Sequence, residues 1–167
     1  MNDVNGDDLV ANDLVGELIV SVFRLNGRLI ETGNELVLDL GLTSAWWQVL
    51  GALSLSPAPI PVAHIARNMG LSRQAVQRNV DLLAERGMVG FTPNPHHQRA
   101  KLVVLTPKGA AAVGAAKDRQ RPLARRMADS IGEERIATAL DVLGQIEALL
   151  SRAGACAEGP TQGDLMS

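Results

Sequence analysis

Four side chains able to read hydrogen-bond patterns fall within residues 73–78: Arg73, Gln74, Gln77 and Arg78. A guanidinium presents a rigid fork of donors, and a carboxamide sets a donor beside an acceptor. Neither group is a nucleophile or a proton shuttle at neutral pH. The chemistry on offer is recognition, either of anions or of flat edges that carry donors and acceptors. Ser72 stands just ahead, with a hydroxyl able to cap a helix or face an anion. A second basic group follows at Arg99 and Lys101, next to the loop residues His96 and His97. No Gly-rich phosphate loop, paired-carboxylate pattern or nucleophile with a plausible base accompanies them, so no enzyme is expected. Adjacent imidazoles chelate one ion poorly, and His64 is remote in sequence with no thiol or carboxylate beside the pair, so neither a metal nor another cofactor is expected.

Such residues need a helix that keeps them on one face. Ser72 is a good N-cap and Gly87 a natural stop. Between them Val76, Val80 and Leu83 share one face, with Gln74, Gln77, Arg78, Asp81 and Glu85 opposite. Upstream, Thr43 caps "SAWWQVLGAL", the prolines of "SPAPIP" break the chain, and "VAHIARNMG" is a short helix closed by Gly70. Downstream, "MVGF" and "KLVVL" read as two strands joined by the polar loop "TPNPHHQRA". Helix, short helix, tight turn, polar-faced helix and hairpin, in that order, make a winged helix-turn-helix. Its expected partner is double-stranded DNA: a major groove admits one helix, Arg78 suits guanine, and Gln74 or Gln77 suits adenine. Residues nearest the helix start, Arg73 included, reach deepest, and the backbone amides there and the Ser72 hydroxyl can face phosphate. The hairpin, with His97, Arg99 and Lys101, is placed to grip the flank, Arg99 along a minor groove.

The flanks are helical. Leu14, Leu18, Val22, Leu25 and Leu29 form one stripe, and Val15, Ile19, Phe23 and Ile30 a second. Two apolar faces on one helix call for a partner, and a second copy of the chain is the expected one. Thr106 and Pro107 start another helix, which Pro122 should kink or interrupt, and a last segment carries Ile136, Leu140, Leu143, Ile146 and Leu150. The fold class is mainly α with a small β hairpin. The expected divisions are an N-terminal dimerisation helix (1–40), a DNA-binding domain (41–106), C-terminal dimerisation helices (107–153) and a disordered tail (154–167). The core must be aliphatic, since Phe23, Trp46, Trp47 and Phe91 are the only aromatics besides histidine. Net charge is −2, yet residues 61–101 carry six Arg or Lys against two acids while residues 1–60 carry two against eight. That asymmetry suggests a local anion-binding face. Cys156 is the only cysteine, so no internal disulfide forms. No run reaches the ~18 apolar residues of a membrane span and the acidic start lacks a basic leader region, so a cytoplasmic protein without membrane contact is expected.

The segments "LTSAWWQVL", "IARNMGLSRQAVQRNVDLLAERGMV" and "NPHHQRAKLVVLTPKG" resemble the MarR family of bacterial transcriptional regulators, from about Leu42 to Gly109. The flanking helices extend the likeness to about Leu150. The resemblance implies a triangular homodimer with two winged heads on palindromic DNA, acting as a ligand-responsive repressor, and a ligand pocket between heads and dimer helices. For that pocket Trp46 is the expected wall, with Trp47 in the core. Arg24 and Arg28, one turn apart, are placed either to hold a small aromatic or amphiphilic acid or to pair with nearby acids. Two departures stand out. The family's wing usually carries Asp-x-Arg, where this chain has His97 and Arg99, and the strand after "GMV" is often basic, where this chain has Gly90, Phe91 and Thr92. The competing expectation is a winged helix that serves as a protein-interaction module and never touches DNA.

Overall fold

Thr43, Ser72 and Thr106 each close the amino end of a helix with a side-chain oxygen, accepting from Trp46 N–H at 3.2 Å, Ala75 N–H at 3.2 Å and Gly109 N–H at 3.1 Å. The computed structural model describes residues 6–95 and 100–157. The helices are α1 (Gly6–Val37), α2 (Ser44–Leu55), α3 (Val62–Asn68), α4 (Arg73–Glu85), α5 (Pro107–Ile131) and α6 (Glu133–Ala157). Leu38–Leu40 form a 3-10 turn after α1. The strands are β1 (Ile60–Pro61), β2 (Val89–Thr92) and β3 (Leu102–Leu105). Two compact units divide the chain after Gln120.

In the first unit three helical segments end on a left-handed glycine, while α2 ends at an extended Ser56. Gly41, Gly70 and Gly87 take φ of 65°, 61° and 67°. After α3 and α4 the next residue folds back on the last turn: Leu71 N–H donates to Ala66 C=O at 3.0 Å and Met88 N–H to Leu83 C=O at 2.9 Å. These are Schellman closures, which need a left-handed residue and so favour glycine. They set the tight turn between α3 and α4 and the abrupt entry into β2. The core they enclose is aliphatic: Val49 and Leu50 of α2, Ile65 of α3, Val76, Val80 and Leu83 of α4, and Val103 of β3 are fully buried. Each such side chain contributes about 1.5–3 kcal/mol against exposure.

The sheet has one strand more than the expected hairpin. β2 pairs with β3 in antiparallel register, Phe91 opposite Val103, and β1 adds to the other side of β3 with Ile60 opposite Val103. The proline-rich break upstream of α3 thus contributes an edge strand. Pro61 fits there because its φ of −74° is extended and an edge strand has one side that needs no donor.

The helix α1 is not broken at Gly33 and runs on to Val37. The glycine is buried because Ser44 packs on it, and an added Cβ would stand 2.7 Å from Ser44 Oγ. Asn34 Oδ1 then accepts Ser44 N–H at 2.7 Å, which fixes the α1–α2 corner. Nor does Pro122 interrupt α5, which stays helical to Ile131; the proline is exposed, where a missing donor costs least. The helix α6 continues to Ala157, past the point where the apolar pattern fades at about Gly154. Among the described residues no single helix is long and apolar enough to cross a membrane, although α1 and α2, bent by 85° at their break, are apolar when taken together.

The start of α5 is locked to the end of α4. Thr106 Oγ1 donates to Gly87 C=O at 2.7 Å, Thr106 N–H donates to Met88 C=O at 3.2 Å, and Lys108 Nζ donates to Arg86 C=O at 2.8 Å. Gly109 lies so close that a Cβ built on it would stand 2.0 Å from Met88 O. Farther along α5, Arg119 holds Asp39 with its Nε at 3.1 Å from both carboxylate oxygens and its Nη2 on Oδ2. That hydrogen-bonded guanidinium keeps the Asp39 carboxyl below the usual carboxylate range. Both side chains are exposed, so the pair orients more than it stabilises. Gly109→Ala should cost about 2 kcal/mol or more by forcing backbone apart. The control is Gly114→Ala on the same helix, where an added Cβ meets no atom within 4 Å. It should stabilise by about 0.5–1 kcal/mol through helix propensity. Urea titrations at one protein concentration distinguish the two, and equal effects would refute the Gly109 contact.

Candidate nucleic-acid interface

The helix α4 buries Val76, Val80 and Leu83, as its periodicity requires, and leaves Arg73, Gln74, Gln77, Arg78 and Asp81 exposed. Ser72, also exposed, uses its Oγ as acceptor for Ala75 N–H, which leaves the hydroxyl hydrogen for a second partner such as phosphate. The exposed face is divided in two. Arg73, Gln77 and Asp81, one helical turn apart, line a groove of about 500 Å³ whose opposite side is Phe91, Ala100 and Lys101 of the hairpin. Gln74 and Arg78 lie outside this groove, on the neighbouring stripe of α4. The Lys101 ammonium stands 5.9 Å from the centroid of the Phe91 ring, close enough for a weak cation–π attraction that keeps it over the strand. Gln77 Nε2 donates to Asp81 Oδ1 at 2.8 Å. The face therefore offers Arg73 and Lys101 to either side of a cleft and presents Gln74 and Arg78 beside it. A contact surface of this kind can hold phosphates against Arg73 and Lys101 while the carboxamides and Arg78 meet base edges. His97 and Arg99 of the hairpin tip lie outside the described residues.

The expected ligand wall, Trp46, is not among the residues that line the cavity beside α2. The Arg86 guanidinium at the end of α4 sits over the Trp46 ring, 4.2 Å from the centroid. Its neighbour Trp47, about 100° around α2, lines a cavity of about 770 Å³ together with Leu29, Gln48, Leu55, Met69 and Gln120. Both indoles are half-buried and pack against the core, so neither is purely core nor purely wall. Arg24 and Arg28 line a different, shallower groove on α1 with Asn34, and Arg28 pairs with Glu31 at 3.6 Å. The three residues expected to share one pocket are not brought together, because the arginines project from a stretch of α1 that α2 does not cover. Among the described residues that line the Trp47 cavity, none is charged.

Sequence reasoning placed Asp81 on the polar face of α4 but gave it no part in the site, although the Gln77–Asp81 spacing of four residues is a signal for a helical side-chain pair. It also missed Trp47, for which no local signal exists, because neighbouring tryptophans on one helix differ only in what the rest of the fold sets against them.

A model described as MarR family matches residues 40–100. An uncharacterized protein of Mycobacterium tuberculosis is 33% identical over 120 residues, covering 72% of this chain and 82% of the relative. The multiple antibiotic resistance protein MarR of Escherichia coli is 33% identical over 97 residues, covering 58% and 65%. Among solved structures, the transcriptional repressor CouR bound to a 23-mer DNA duplex superposes with a TM-score of 0.69 at 26% identity, covering 81% of this chain and 95% of that one. CouR of Rhodococcus jostii bound to p-coumaroyl-CoA gives 0.69 at 27%, covering 81% and 92%. The capped polar helix, its hairpin and these relatives agree, and the chain belongs to the MarR family.

Proposed function

We propose that this chain is a ligand-responsive transcriptional repressor that binds palindromic DNA as a homodimer in the cytoplasm and has no catalytic activity of its own. The observation that carries the reading is the exposed Arg–Gln face of α4, capped at both ends and flanked by a basic groove against the hairpin. CouR, similar over most of its length, is a repressor and has been captured on a DNA duplex. In this reading Arg78 meets guanine, Gln74 or Gln77 meets adenine, Ser72, Arg73 and Lys101 meet phosphate, and Arg99 with His97 follows the flanking minor groove.

Helix and hairpin should then fail differently. Arg78→Ala should cost about 1–3 kcal/mol on a duplex selected by the wild-type chain and hardly alter affinity for random DNA. Arg99→Ala should weaken binding to all sequences and reduce the slope of log K against log salt by about two for a dimer. Fluorescence anisotropy across a salt series measures both. If neither variant changes binding, or the wild-type chain retains no duplex at all, the rival reading of a protein-interaction module takes its place.

The dimer rests on the apolar faces of α1 and α6, each considered alone. Phe23 is 71% exposed and Leu150 68% exposed, and both lie in stripes that run the length of their helices. Surfaces of that size on a single soluble chain mark an interface. Light scattering at micromolar concentration should give about twice the mass of 17.7 kDa. A monomer would remove the basis for palindromic sites.

CouR also binds p-coumaroyl-CoA, a molecule with an aromatic acyl group. In this chain the corresponding reading centres on the Trp47 cavity. An anion there would lose hydration without gaining a cation, whereas Gln48, Asn68 and Gln120 offer amide partners to a neutral aromatic. The expected effector is therefore an uncharged or amphiphilic aromatic in place of a simple acid. Across a panel of phenols, aromatic amides and benzoates, the neutral members should change indole emission and weaken DNA binding by about 1–3 kcal/mol. Trp47→Phe should abolish the optical response and Trp46→Phe should retain it. A response confined to the benzoates, or carried by Trp46, would refute this assignment.

A further inference from the structure

The wing-facing stripe of α4 carries a carboxylate where a surface that meets phosphate has no electrostatic use for one. Asp81 lines the same groove as Arg73 and Lys101 and is exposed. A phosphate entering that groove gains from both cations and is repelled by this acid. What Asp81 does instead is accept the Gln77 Nε2 hydrogen at 2.8 Å, from one helical turn earlier. A glutamine alone on a helix surface rotates freely and presents its carboxamide either way round. Among the described residues nothing holds Gln74 as Gln77 is held.

We infer that Asp81 is a positioning residue for base recognition, which fixes the direction of the Gln77 carboxamide so that the chain reads adenine there. With one Nε2 hydrogen bound to Asp81, the second Nε2 hydrogen and Oε1 remain available, side by side. That donor–acceptor pair matches N7 and the N6 amino group on the major-groove edge of adenine. The opposite orientation of the amide would turn Oε1 toward Asp81, two acceptors facing each other, and is excluded by their repulsion. Asp81 thus acts twice. It selects one of two amide orientations before DNA arrives, and its charge lowers affinity for DNA that offers Gln77 no adenine. The inference rests on the reading of α4 as the DNA-contacting helix, and it resolves the choice between Gln74 and Gln77 in favour of Gln77.

The test is selection of duplexes from a random-sequence pool by the full-length chain and its Gln77→Ala, Asp81→Ala and Asp81→Asn variants, followed by titration of the selected site and of single-base changes in it. The wild-type chain should prefer adenine by about tenfold at one position of each half-site, in the range of a bidentate contact. Gln77→Ala should erase the preference at that position only. Asp81→Ala should reduce it to about twofold or less, because the amide can then turn either way. Asp81→Asn loses the charge and offers the Gln77 amide a donor as well as an acceptor, so it should bind random DNA more tightly than the wild type and, with both amide orientations allowed, weaken the preference as Asp81→Ala does. An Asp81→Ala or Asp81→Asn chain that keeps the full adenine preference overturns the inference. If the wild-type chain selects no sequence, the DNA-binding reading fails first and the inference with it. If it selects a site at which Gln77→Ala changes nothing, that reading stands and only the inference falls.

Discussion

The contact between Gly109 and the carbonyl of Met88 sets where the hairpin can start, because no side chain larger than hydrogen fits between the first turn of α5 and the backbone that leaves α4. Several polar contacts converge around this point. Thr106 bridges Gly87 and Gly109 through one hydroxyl, and Lys108 reaches back to Arg86. Two helix ends and both strands of the hairpin thus share one small region of backbone. The exposed face of α4 and the groove beside it depend on this junction, since Leu83 and Met88 are buried on its two sides and cannot move apart without opening the core. The "TPKG" stretch, which in the sequence looks like a simple helix start, is what holds a recognition surface and its flanking hairpin at one angle.

A second contact acts at the same place from another direction. Arg86 ends α4 with its guanidinium over Trp46, and its carbonyl takes the Lys108 ammonium. The last turn of α4 is therefore held by α2 on one side and α5 on the other. Trp47, the next residue of α2, faces the uncharged cavity. Consecutive residues of one rigid helix thus touch the cavity and the end of α4. A molecule that displaced α2 would act on α4 through a stacked side chain, over a distance too short to need any longer relay.

The elements that could be read from sequence are those whose cause lies within a few residues. The caps at Thr43, Ser72 and Thr106 and the left-handed glycines at Gly70 and Gly87 are local chemistry, and the buried Val76, Val80 and Leu83 follow from helical spacing alone. What escaped has its cause far along the chain. β1 exists because Ile60 pairs with Val103, and α1 runs on past Gly33 because Ser44 covers it. Trp46 and Trp47 both rest half-buried on the core, and Arg86 stacks on one while the other faces a cavity. The same limit applies to Arg24 and Arg28. Their spacing allows either a shared ligand or pairing with acids; Arg28 does pair with Glu31, and the helix carries both arginines to a groove whose lining does not include the tryptophans. The exposed polar face of α4 was legible because it lies on one helix; cavities formed between helices were not.

On the DNA-binding reading, the distribution of charge constrains how the protein finds its site. The whole chain is acidic by two charges, so at physiological salt, where screening extends about 8 Å, a distant duplex exerts no attraction on the chain as a whole. Only the basic segment of residues 61–101, once within that distance, is drawn in. Within it Asp81 and Glu85 offset part of the gain from Arg73, Arg78, Arg86 and Lys101. Non-specific attachment is weakened by both effects, and contacts that depend on base identity are not. A regulator built this way gives up association rate and absolute affinity for a larger ratio of specific to non-specific binding, and that ratio governs occupancy of one site among many competitors.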